Sequence, residues 1–410
     1  LLIKIAARHL SFSWSLLERF KCVPALLSLV NMKRRILIPG PVEISTEVSS
    51  ALAKQMVGHR TPDFSAILEE CWEGLRYVYQ TKNEVIILTG SGTVAMDAAV
   101  ASTISEGDTV ICIGGGKFGE RFLKIVKAYG GVPKEVKVQW GKAVDMEDVK
   151  KAVSESDAVA VTLTHNETST GILHDAAEIA RIARENDMLF IMDAITSIGG
   201  DDVKTDEWGV DICIAGSQKC LGAPPGLAFV AVSERAWQAI EKNQKRRAYY
   251  QDLASYRKSL KKSTTPFTPA VPLIYGLKVA LEEIKNEGLE NRIRRHRALA
   301  KATREAVKAM NLSLFADETH ASNTVTAINL PDGLNDHDIR GRLKDEYGIL
   351  LAGGQEEVKG KIFRIGHMGN VDLVELLGVL SALEMVLKKG GHSFTLGNGV
   401  KAAQESLLDL

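Results

Sequence analysis

Short apolar runs alternate with amphipathic stretches over the first two thirds of the chain. Residues 64–79 place apolar side chains at helical spacing, which is typical of a helix with one buried face. Several runs further along have no polar face, as the strands of a parallel sheet covered on both sides require. The alternation predicts a doubly wound α/β sheet. Its predicted strands are 85–88, 109–113, 159–163, 189–193, 211–215 and 227–232, and the helices between them are 93–104, 117–129, 145–153 and 175–186.

The last third of the chain predicts a second, smaller α/β unit. Residues 234–262 are charged and irregular, and a long helical pattern then runs from Pro272 towards Met310 with an interruption near Gly288. The tail after Gly390 is short and polar, and we expect a loosely held extension there. The predicted strands of this unit are 324–330, 349–352 and 362–365, and its helices are 336–347 and 371–389.

Composition narrows the choice of function. The 410 residues are 45% hydrophobic, and 51 Lys and Arg balance 51 Asp and Glu, so no nucleic-acid partner is expected. The five cysteines are scattered and form no C-x-x-C pair. This spacing argues against a disulfide framework or a cysteine metal site and favours a reducing, cytoplasmic setting.

The first 31 residues differ from the rest of the chain. They hold four Lys and Arg and one acid, and charges interrupt their apolar runs, so we expect no membrane-spanning segment. A basic, acid-poor segment fits a transit peptide. We favour a non-native or wrongly assigned extension, because M-K-R-R-I-L-I-P-G-P from Met32 has the character of a natural beginning.

Polar residues gather where the predicted strands end. L-T-G-S-G-T-V-A (88–95) forms a glycine turn and opens a helix, whose free N–H groups and the hydroxyls of Ser91 and Thr93 would bind an anion. Asp193 ends the fourth strand, and H-N-E-T-S-T-G (165–171) follows the third. Open α/β sheets bind ligands at this carboxyl edge. Each motif alone also fits a plain turn or helix cap, so their combination is what carries information.

Lys219 indicates which reaction these motifs could support. It follows the fifth predicted strand, within A-G-S-Q-K-C-L-G-A-P-P-G (215–226), among small and apolar neighbours. A lysine in a partly dry pocket has a lowered pKa, and its neutral amine attacks aldehydes. An anion site, a buried acid and such a lysine match pyridoxal 5′-phosphate (PLP), whose pyridine nitrogen Asp193 would keep protonated. We therefore expect a PLP site and no metal site.

These motifs belong to a longer series with a specific order and spacing. On this series the chain, from Met32 to about Lys389, resembles class V aminotransferases of fold type I, especially the serine–pyruvate and alanine–glyoxylate aminotransferase family. The resemblance implies an α/β fold with a large domain on a mostly parallel seven-stranded sheet and a smaller α/β C-terminal domain. The motifs are P-G-P (39–41), H-R (59–60), G-S-G-T (90–93), G-x-F-G-E-R (116–121), T-H-N-E-T-S-T-G (164–171), D-A-I-T-S-I-G (193–199), G-S-Q-K (216–219), A-P-P-G (223–226), G-L-E-N (288–291) and R-I-G-H-M-G (364–369).

The resemblance also implies how the chain is divided. We expect an N-terminal extension outside the fold (1–31), a segment that contributes to the active site and the small domain (32–50), a large PLP-binding domain (51–287), a small C-terminal domain (288–390) and a tail (391–410).

Residue by residue, the resemblance implies a complete cofactor site. Lys219 would bind the cofactor as an aldimine and then move the proton between substrate and cofactor, and Asp193 would pair with the pyridinium nitrogen. Arg364 and Gly40 would bind the substrate, with the fork of Arg364 holding its carboxylate. The other implied contacts are the phosphate ligands Ser91, Gly92, Thr93 and Gln218, the phenolic-oxygen ligand Thr168 and the ring-stacking Phe118.

The resemblance further implies a homodimer with active sites at the subunit interface, because Thr268 would reach the phosphate of the neighbouring subunit. Two positions depart from the family pattern. The stacking position is often Trp in relatives, and Phe118 offers less contact area. A tyrosine that many relatives use for the subunit-crossing phosphate contact aligns with Thr265, which puts that one contact in question.

The function implied is a PLP-dependent aminotransferase that acts on small molecules by a ping-pong mechanism. A single arginine, Arg364, suits a monocarboxylic donor, so serine or alanine with pyruvate or glyoxylate is the leading expectation. Aspartate or glutamate stays open, since Arg60 or Arg246 could supply a second cation. Two readings are less favoured: a cysteine desulfurase, which would need a mobile cysteine after Cys220, and a non-catalytic binding protein.

Overall fold

Seven strands form the largest sheet in the computed structural model, which describes residues 33–243 and 247–408. The described strands are β1 (Arg35–Leu37), β2 (Glu84–Thr89), β3 (Thr109–Ile113), β4 (Val132–Val136), β5 (Ala160–Thr164), β6 (Asn166–Glu167), β7 (Ile172–Leu173), β8 (Leu189–Asp193), β9 (Ile212–Gly216), β10 (Leu227–Val232), β11 (Val325–Asn329), β12 (Ile349–Gly353) and β13 (Ile362–Gly366). The large sheet has the order β2-β10-β9-β8-β5-β3-β4. Six of these strands run in the same direction, and β10 runs antiparallel to them. The expected mostly parallel seven-stranded sheet is confirmed.

Both faces of this sheet are buried. Along β3, Val110 and Cys112 pack into one hydrophobic core. The alternate residues Ile111 and Ile113 pack into the other core, which explains the strands without a polar face. The described α-helices are α1 (Thr46–Leu52), α2 (Pro62–Tyr79), α3 (Gly92–Thr103), α4 (Gly119–Ala128), α5 (Met146–Ser154), α6 (Ala176–Glu185), α7 (Thr205–Trp208), α8 (Glu234–Lys242), α9 (Leu253–Leu260), α10 (Val271–Glu287), α11 (Leu289–Ala309), α12 (Arg342–Tyr347), α13 (Leu373–Lys389) and α14 (Asn398–Leu408).

A second sheet of four strands builds the smaller unit that the sequence predicted. Its order is β1-β12-β13-β11, so the first described strand pairs with strands from the C-terminal third of the chain. Helices α11 and α13 cover this sheet around a core that includes Leu37, Phe363 and Leu383. The arrangement carries the segment after β1 back to the large domain, where Pro39 and Gly40 lie against Lys219.

The expectation of a loosely held tail is wrong. Helix α14 packs against α11, and Ala403 is completely buried in the core of the small unit. Buried Glu384 of α13 caps the start of α14 by accepting the N–H groups of Gly399 at 2.7 Å and Val400 at 3.1 Å. The residues that α14 buries, Gly399, Ala403 and Ser406, are small and include a serine, so the tail looks polar in sequence although one face of the helix is buried.

Further elements differ from the predictions. The stretch 234–262, expected to be irregular, contains helices α8 and α9. Strand β4 was not predicted, because V-P-K-E-V has little apolar character; as the edge of the sheet it tolerates Pro133. The predicted helix 336–347 is divided into a π-helical turn, His337–Gly341, and helix α12.

Two earlier expectations concern residues outside the described part of the chain, namely the extension 1–31 and the candidate cation Arg246. Over the residues described, no helix combines the length and the apolar character needed to cross a bilayer.

Candidate active site

The carboxyl ends of the parallel strands bring the predicted site residues to one edge of the sheet. β5 and β8 end in register at Thr164 and Asp193, and Asp193 also pairs with Ile214 of β9. β2 runs parallel to β9, because both are antiparallel to β10, so helix α3 also begins at this edge. The polar loops after these strands therefore converge, as open α/β sheets allow.

A cavity of about 110 Å³ lies at this edge. An open groove of about 750 Å³ lies between α2 and residues 288–291, but none of the predicted site residues lines it. We take the smaller cavity as the candidate site, because it combines the helix start, the acid and the lysine. The predicted residues that line it are Ser91, Gly92, Thr93, Phe118, Thr168, Asp193, Gln218 and Lys219, and the others are Arg121, Thr164, Asn166, Ile195 and Thr196.

The start of helix α3 has the features of an anion site. Ser91 is the N-cap residue, yet its hydroxyl accepts no backbone N–H and remains available. Gly92 packs so closely on Ile195 that an added Cβ would overlap that side chain. Arg121 donates to Thr93 Oγ1 at 3.0 Å and adds positive charge at the same helix start. Backbone N–H groups, hydroxyls and a guanidinium together suit a phosphate.

Gln218 presents a buried polar group that the protein itself leaves unpaired. Its Oε1 is shielded from solvent and has no hydrogen-bond partner among the described residues. Leaving such a group unpaired costs about 1–3 kcal/mol. The amide lines the cavity, and a flip exchanges its oxygen and nitrogen, so it is a natural contact for a bound group.

Asp193 is a buried acid held in one orientation. Its Oδ1 accepts the N–H of Ile195 at 2.9 Å, and Thr164 Oγ1 lies 3.5 Å from Oδ2. Burial raises the pKa of Asp193 to about 6, against the opposing effect of the hydrogen bond from Ile195. A buried carboxylate of this kind gains most from a cationic partner, and a protonated pyridine nitrogen is one.

Lys219 is a buried amine beside a glycine. Burial lowers its pKa to about 8, so a share of the amine is neutral near neutral pH. The Nζ donates to the carbonyl of Pro39. A Cβ added to Gly40 would lie 2.6 Å from Nζ, and the φ of +87° at Gly40 also favours glycine. Position 40 therefore has to lack a side chain for the amine to lie where it does.

Arg364 reaches the site from β13 of the small unit. Its Nη1 donates to the carbonyl of Thr168 at 2.7 Å, and Nε and Nη2 donate to that of Gly353 at 3.1 and 2.6 Å. A guanidinium has five N–H groups, so one on Nη1 and one on Nη2 have no partner in the described part of the chain. Burial lowers the pKa of Arg364 to about 10, which still leaves it a cation at neutral pH. Two such donors suit one carboxylate.

The structure does not bring every predicted residue to the cavity. Arg364 and Gly40 do not line it; they contact Thr168 and Lys219, which do. Thr268 is exposed and does not line it, and the hydroxyl of Thr265 donates to the Phe267 carbonyl at 2.7 Å. Arg60 donates to Thr264 Oγ1 at 2.8 Å and to the carbonyl of Thr265. The candidate second cation is thus bound to the loop before Thr268 rather than at the cavity of its own chain.

Sequence reasoning missed the roles of Arg121, Asn166 and Thr196 as lining residues. The amide of Asn166 donates to Thr196 Oγ1 at 2.9 Å and to Thr324 Oγ1 at 2.8 Å, while its Oδ1 has no partner among the described residues. All three lie inside motifs at strand ends that the sequence had already marked. Their position there was the available signal.

Comparison with known proteins identifies the family of this chain. Residues 43–368 match the model of the family Aminotransferase class-V. The chain is 46% identical to an uncharacterised aminotransferase of Methanocaldococcus jannaschii, over 92% of this chain and 98% of that protein. It is 36% identical to an L-aspartate–glyoxylate aminotransferase of Paracoccus denitrificans (90% and 95%) and 34% identical to a serine–glyoxylate aminotransferase of Arabidopsis thaliana (92% and 95%). The crystal structure of ureidoglycine–glyoxylate aminotransferase from Bacillus subtilis matches with a TM-score of 0.88 at 34% identity, over 92% and 99%.

The fold and the site together define an aminotransferase of fold type I whose cofactor is PLP. The helix start, the buried acid, the unpaired amide and the amine around one cavity fit that group. The chain belongs to the class-V aminotransferase family.

Proposed function

We propose that this aminotransferase moves the amino group of serine or alanine to glyoxylate or pyruvate. The observation that carries the proposal is the single buried fork of Arg364, which leaves two N–H groups for one carboxylate. Arg121, the guanidinium that lines the cavity, is bound to Thr93 at the anion site. One carboxylate site favours a monocarboxylic donor over a dicarboxylic one.

Each residue at the site has its own role in the proposed reaction. Bound PLP supplies an aldehyde carbon for the amino group and a ring that accepts the electron pair of the Cα–H bond. Asp193 holds the proton on the pyridine nitrogen, and the helix start with Arg121 holds the phosphate. Lys219 takes the Cα proton and returns it, which its pKa of about 8 permits near neutral pH. Arg364 fixes the carboxylate and so aims the Cα–H bond at the amine.

Aspartate is the second candidate donor. The relative from Paracoccus is named for L-aspartate, which makes this alternative a specific one. A dicarboxylate needs a second cation, and Arg60 is bound to the loop 264–266. Arg246, the other candidate cation, lies outside the described residues. With Arg60, aspartate use would need this arginine to serve a site other than the cavity of its own chain.

We also propose a cytoplasmic homodimer with shared sites. Thr268 is exposed on a loop that does not reach the cavity of its own chain. A second copy would give this loop a phosphate site to contact. The scattered, buried cysteines favour a reducing compartment.

Steady-state assays of the purified protein test the proposed donors and acceptors. We expect kcat/KM for serine or alanine to exceed that for aspartate or glutamate by roughly tenfold or more with glyoxylate or pyruvate as acceptor, because an unpaired second carboxylate is costly in a buried site. Lys219→Ala should abolish turnover with every pair and remove the visible absorbance of bound PLP. A lysine control is Lys134→Ala on edge strand β4. Within the described part of the chain, its amine donates to the Ala152 and Glu155 carbonyls and not to the cavity. Higher kcat/KM with aspartate would support the second candidate, and full turnover by Lys219→Ala would refute the mechanism.

A further inference from the structure

One buried carboxylate, that of Glu167, collects four hydrogen bonds next to the cavity. Its exposed fraction is 1%. Its Oε2 accepts the N–H groups of Phe118 and Gly119, each at 2.9 Å. Its Oε1 accepts the N–H of Ser169 at 3.0 Å and the Ser169 hydroxyl at 2.6 Å. The hydroxyl oxygen in turn accepts the N–H of Lys117 at 3.0 Å, so Glu167 and Ser169 together bind three consecutive N–H groups.

These bonds cap helix α4 from outside its own sequence. The N-cap residue of α4 is Phe118, which has no side-chain acceptor to offer, and Glu167 supplies it instead. Negative charge at a helix start is also stabilised by the helix dipole. Gly116 makes room for the arrangement, because an added Cβ would lie 2.7 Å from Ser169 Oγ and overlap the Glu167 side chain.

The same residue is joined to two other parts of the site. Thr168, the next residue in the chain, lines the cavity, and its carbonyl accepts the Nη1 of Arg364 at 2.7 Å. Glu167 also favours the charged form of Arg364 electrostatically. Glu167 itself does not line the cavity. One carboxylate outside the cavity thus binds the backbone of Phe118, directly precedes Thr168 in the chain and acts electrostatically on Arg364.

We propose that Glu167 is a positioning residue, which holds the ring of Phe118 and the residue Thr168 at the cofactor without touching the cofactor itself. The inference rests on the proposed roles of those two residues. All four partners of Glu167 are donors, so the ionised carboxylate is the form that satisfies them. A glutamine keeps the shape but turns an NH₂ group towards at least one of these donors.

The test is the dissociation constant of PLP, measured by titrating PLP into the full-length chain and following its visible absorbance. Glu167→Gln should raise this constant about tenfold or more, because a charged hydrogen bond is lost and a donor is left facing a donor. In a Phe118→Leu background the same substitution should have a much smaller effect, since the ring that Glu167 positions is already gone. Hydrogen exchange at the amides of residues 117–119 should speed up in Glu167→Gln without any assay of activity.

Asp211→Asn is the matched control. Asp211 is as buried as Glu167, at 1%, and accepts the N–H of Phe190 and the hydroxyl of Ser233, each at 2.9 Å. It differs from Glu167 in that it also pairs with Arg235 Nη1 at 2.9 Å. It precedes β9, at the amino-terminal edge of the sheet, away from the cavity. Its substitution should lower the melting temperature and leave the PLP constant unchanged. Ser169→Ala, a milder change in the same network, serves if Glu167→Gln does not fold and should also raise the PLP constant.

Two results would overturn the inference. One is a Glu167→Gln protein, or the Ser169→Ala protein in its place, that loses thermal stability like Asp211→Asn but binds PLP as the unchanged chain does. The other is an effect on the PLP constant that is the same with and without the Phe118 ring. Failure of the unchanged chain to bind PLP would instead refute the proposed function, so the two failures are distinguishable.

Discussion

At the scale of single residues, the site consists of buried polar and charged groups that lower the stability of the fold when no ligand is bound. Asp193 and Lys219 are both removed from water. Burial raises the pKa of Asp193 and lowers that of Lys219, so it favours the neutral form of each group. Gln218 and Asn166 each keep a side-chain oxygen without a partner among the described residues. Such groups are expected where a ligand supplies the missing partners.

Asp193→Asn should therefore stabilise the PLP-free chain at neutral pH while abolishing turnover. The folded pKa of Asp193, about 6, lies above the ordinary value of 3.8, so the buried charge costs stability above pH 6 and the cost fades as the pH falls. We expect the variant to gain roughly 1–3 kcal/mol in the free energy of unfolding near pH 7. Urea denaturation should show this gain smaller at pH 5 by roughly 1 kcal/mol. A pH-independent difference, or a loss of stability, would contradict the prediction.

The residue types at strand ends were readable from sequence, but their contacts were not. Asp193 and Lys219 stand out because a charge follows a wholly apolar run. The sequence does not indicate that the Pro39 carbonyl accepts a hydrogen bond from Lys219. It also does not indicate that Arg364 donates to the carbonyls of Thr168 and Gly353. Those contacts join segments far apart in the chain, and their identity depends on how the two sheets pack.

At the scale of elements, helix α11 connects the two sheets through a buried arginine, Arg292. Arg292 donates to Glu287 at 2.7 Å, to the carbonyl of Cys220 at 2.7 Å and to Asn370 at 3.3 Å. Cys220 directly follows Lys219, and Asn370 lies in the loop after β13. The start of this helix therefore fixes the lysine loop against the strand that carries Arg364.

Arg292→Met should destabilise the fold and slow the reaction together. The substitution removes the donor from the buried Cys220 carbonyl, while Glu287 keeps its pair with Arg295. We expect a loss of about 2–4 kcal/mol in the free energy of unfolding and a lower kcat. Arg294→Met is the control, since that exposed neighbour donates only to the Asn291 side chain. Equal effects of the two substitutions in denaturation and rate measurements would contradict this role of α11.

Strongly apolar elements were predicted, whereas elements shaped by tertiary contacts were not. The amphipathic helix α8 was also missed, because the stretch that contains it is rich in charge. The six buried strands of the large sheet and the closing helix α13 are apolar enough to be read directly. Edge strand β4 owes its place to pairing with β3, and helix α14 owes its start to the carboxylate of Glu384. Partners that lie elsewhere in the chain leave no local pattern.

At the scale of the whole molecule, the region before Thr268 exposes aromatic surface. Tyr249 is 85% exposed, and it lies against Phe267, as Tyr250 does, with ring centroids 5.8 and 5.0 Å apart respectively. Arg60 is bound to the same loop. An exposed aromatic cluster beside a residue expected to serve a neighbouring site is the surface that a second copy would cover.

Tyr249→Glu should shift the protein from dimer to monomer and raise the dissociation constant of PLP. A charge on this surface opposes its burial, and loss of the second copy removes the contact that Thr268 is proposed to make. Sedimentation velocity and PLP titration measure the two effects. Val374→Glu, at a 79% exposed position on the small unit, should change neither. A dimeric Tyr249→Glu protein with unchanged PLP binding would refute the placement of the interface.

The hydrogen bond from the Gly90 N–H to the Gly226 carbonyl, at 2.8 Å, has a consequence for how this scaffold can vary. This bond joins the turn before helix α3, where we propose the anion site, to the end of the loop that carries Lys219. The pairing of β10 with β2 begins at the next residues. The proposed phosphate-binding turn and the Lys219 loop are thus joined at the same edge of the large sheet, whereas Arg364, the proposed carboxylate ligand, lies on the other sheet. A change in how the two sheets pack against each other would therefore alter which substrates bind, while the affinity for the cofactor would stay the same.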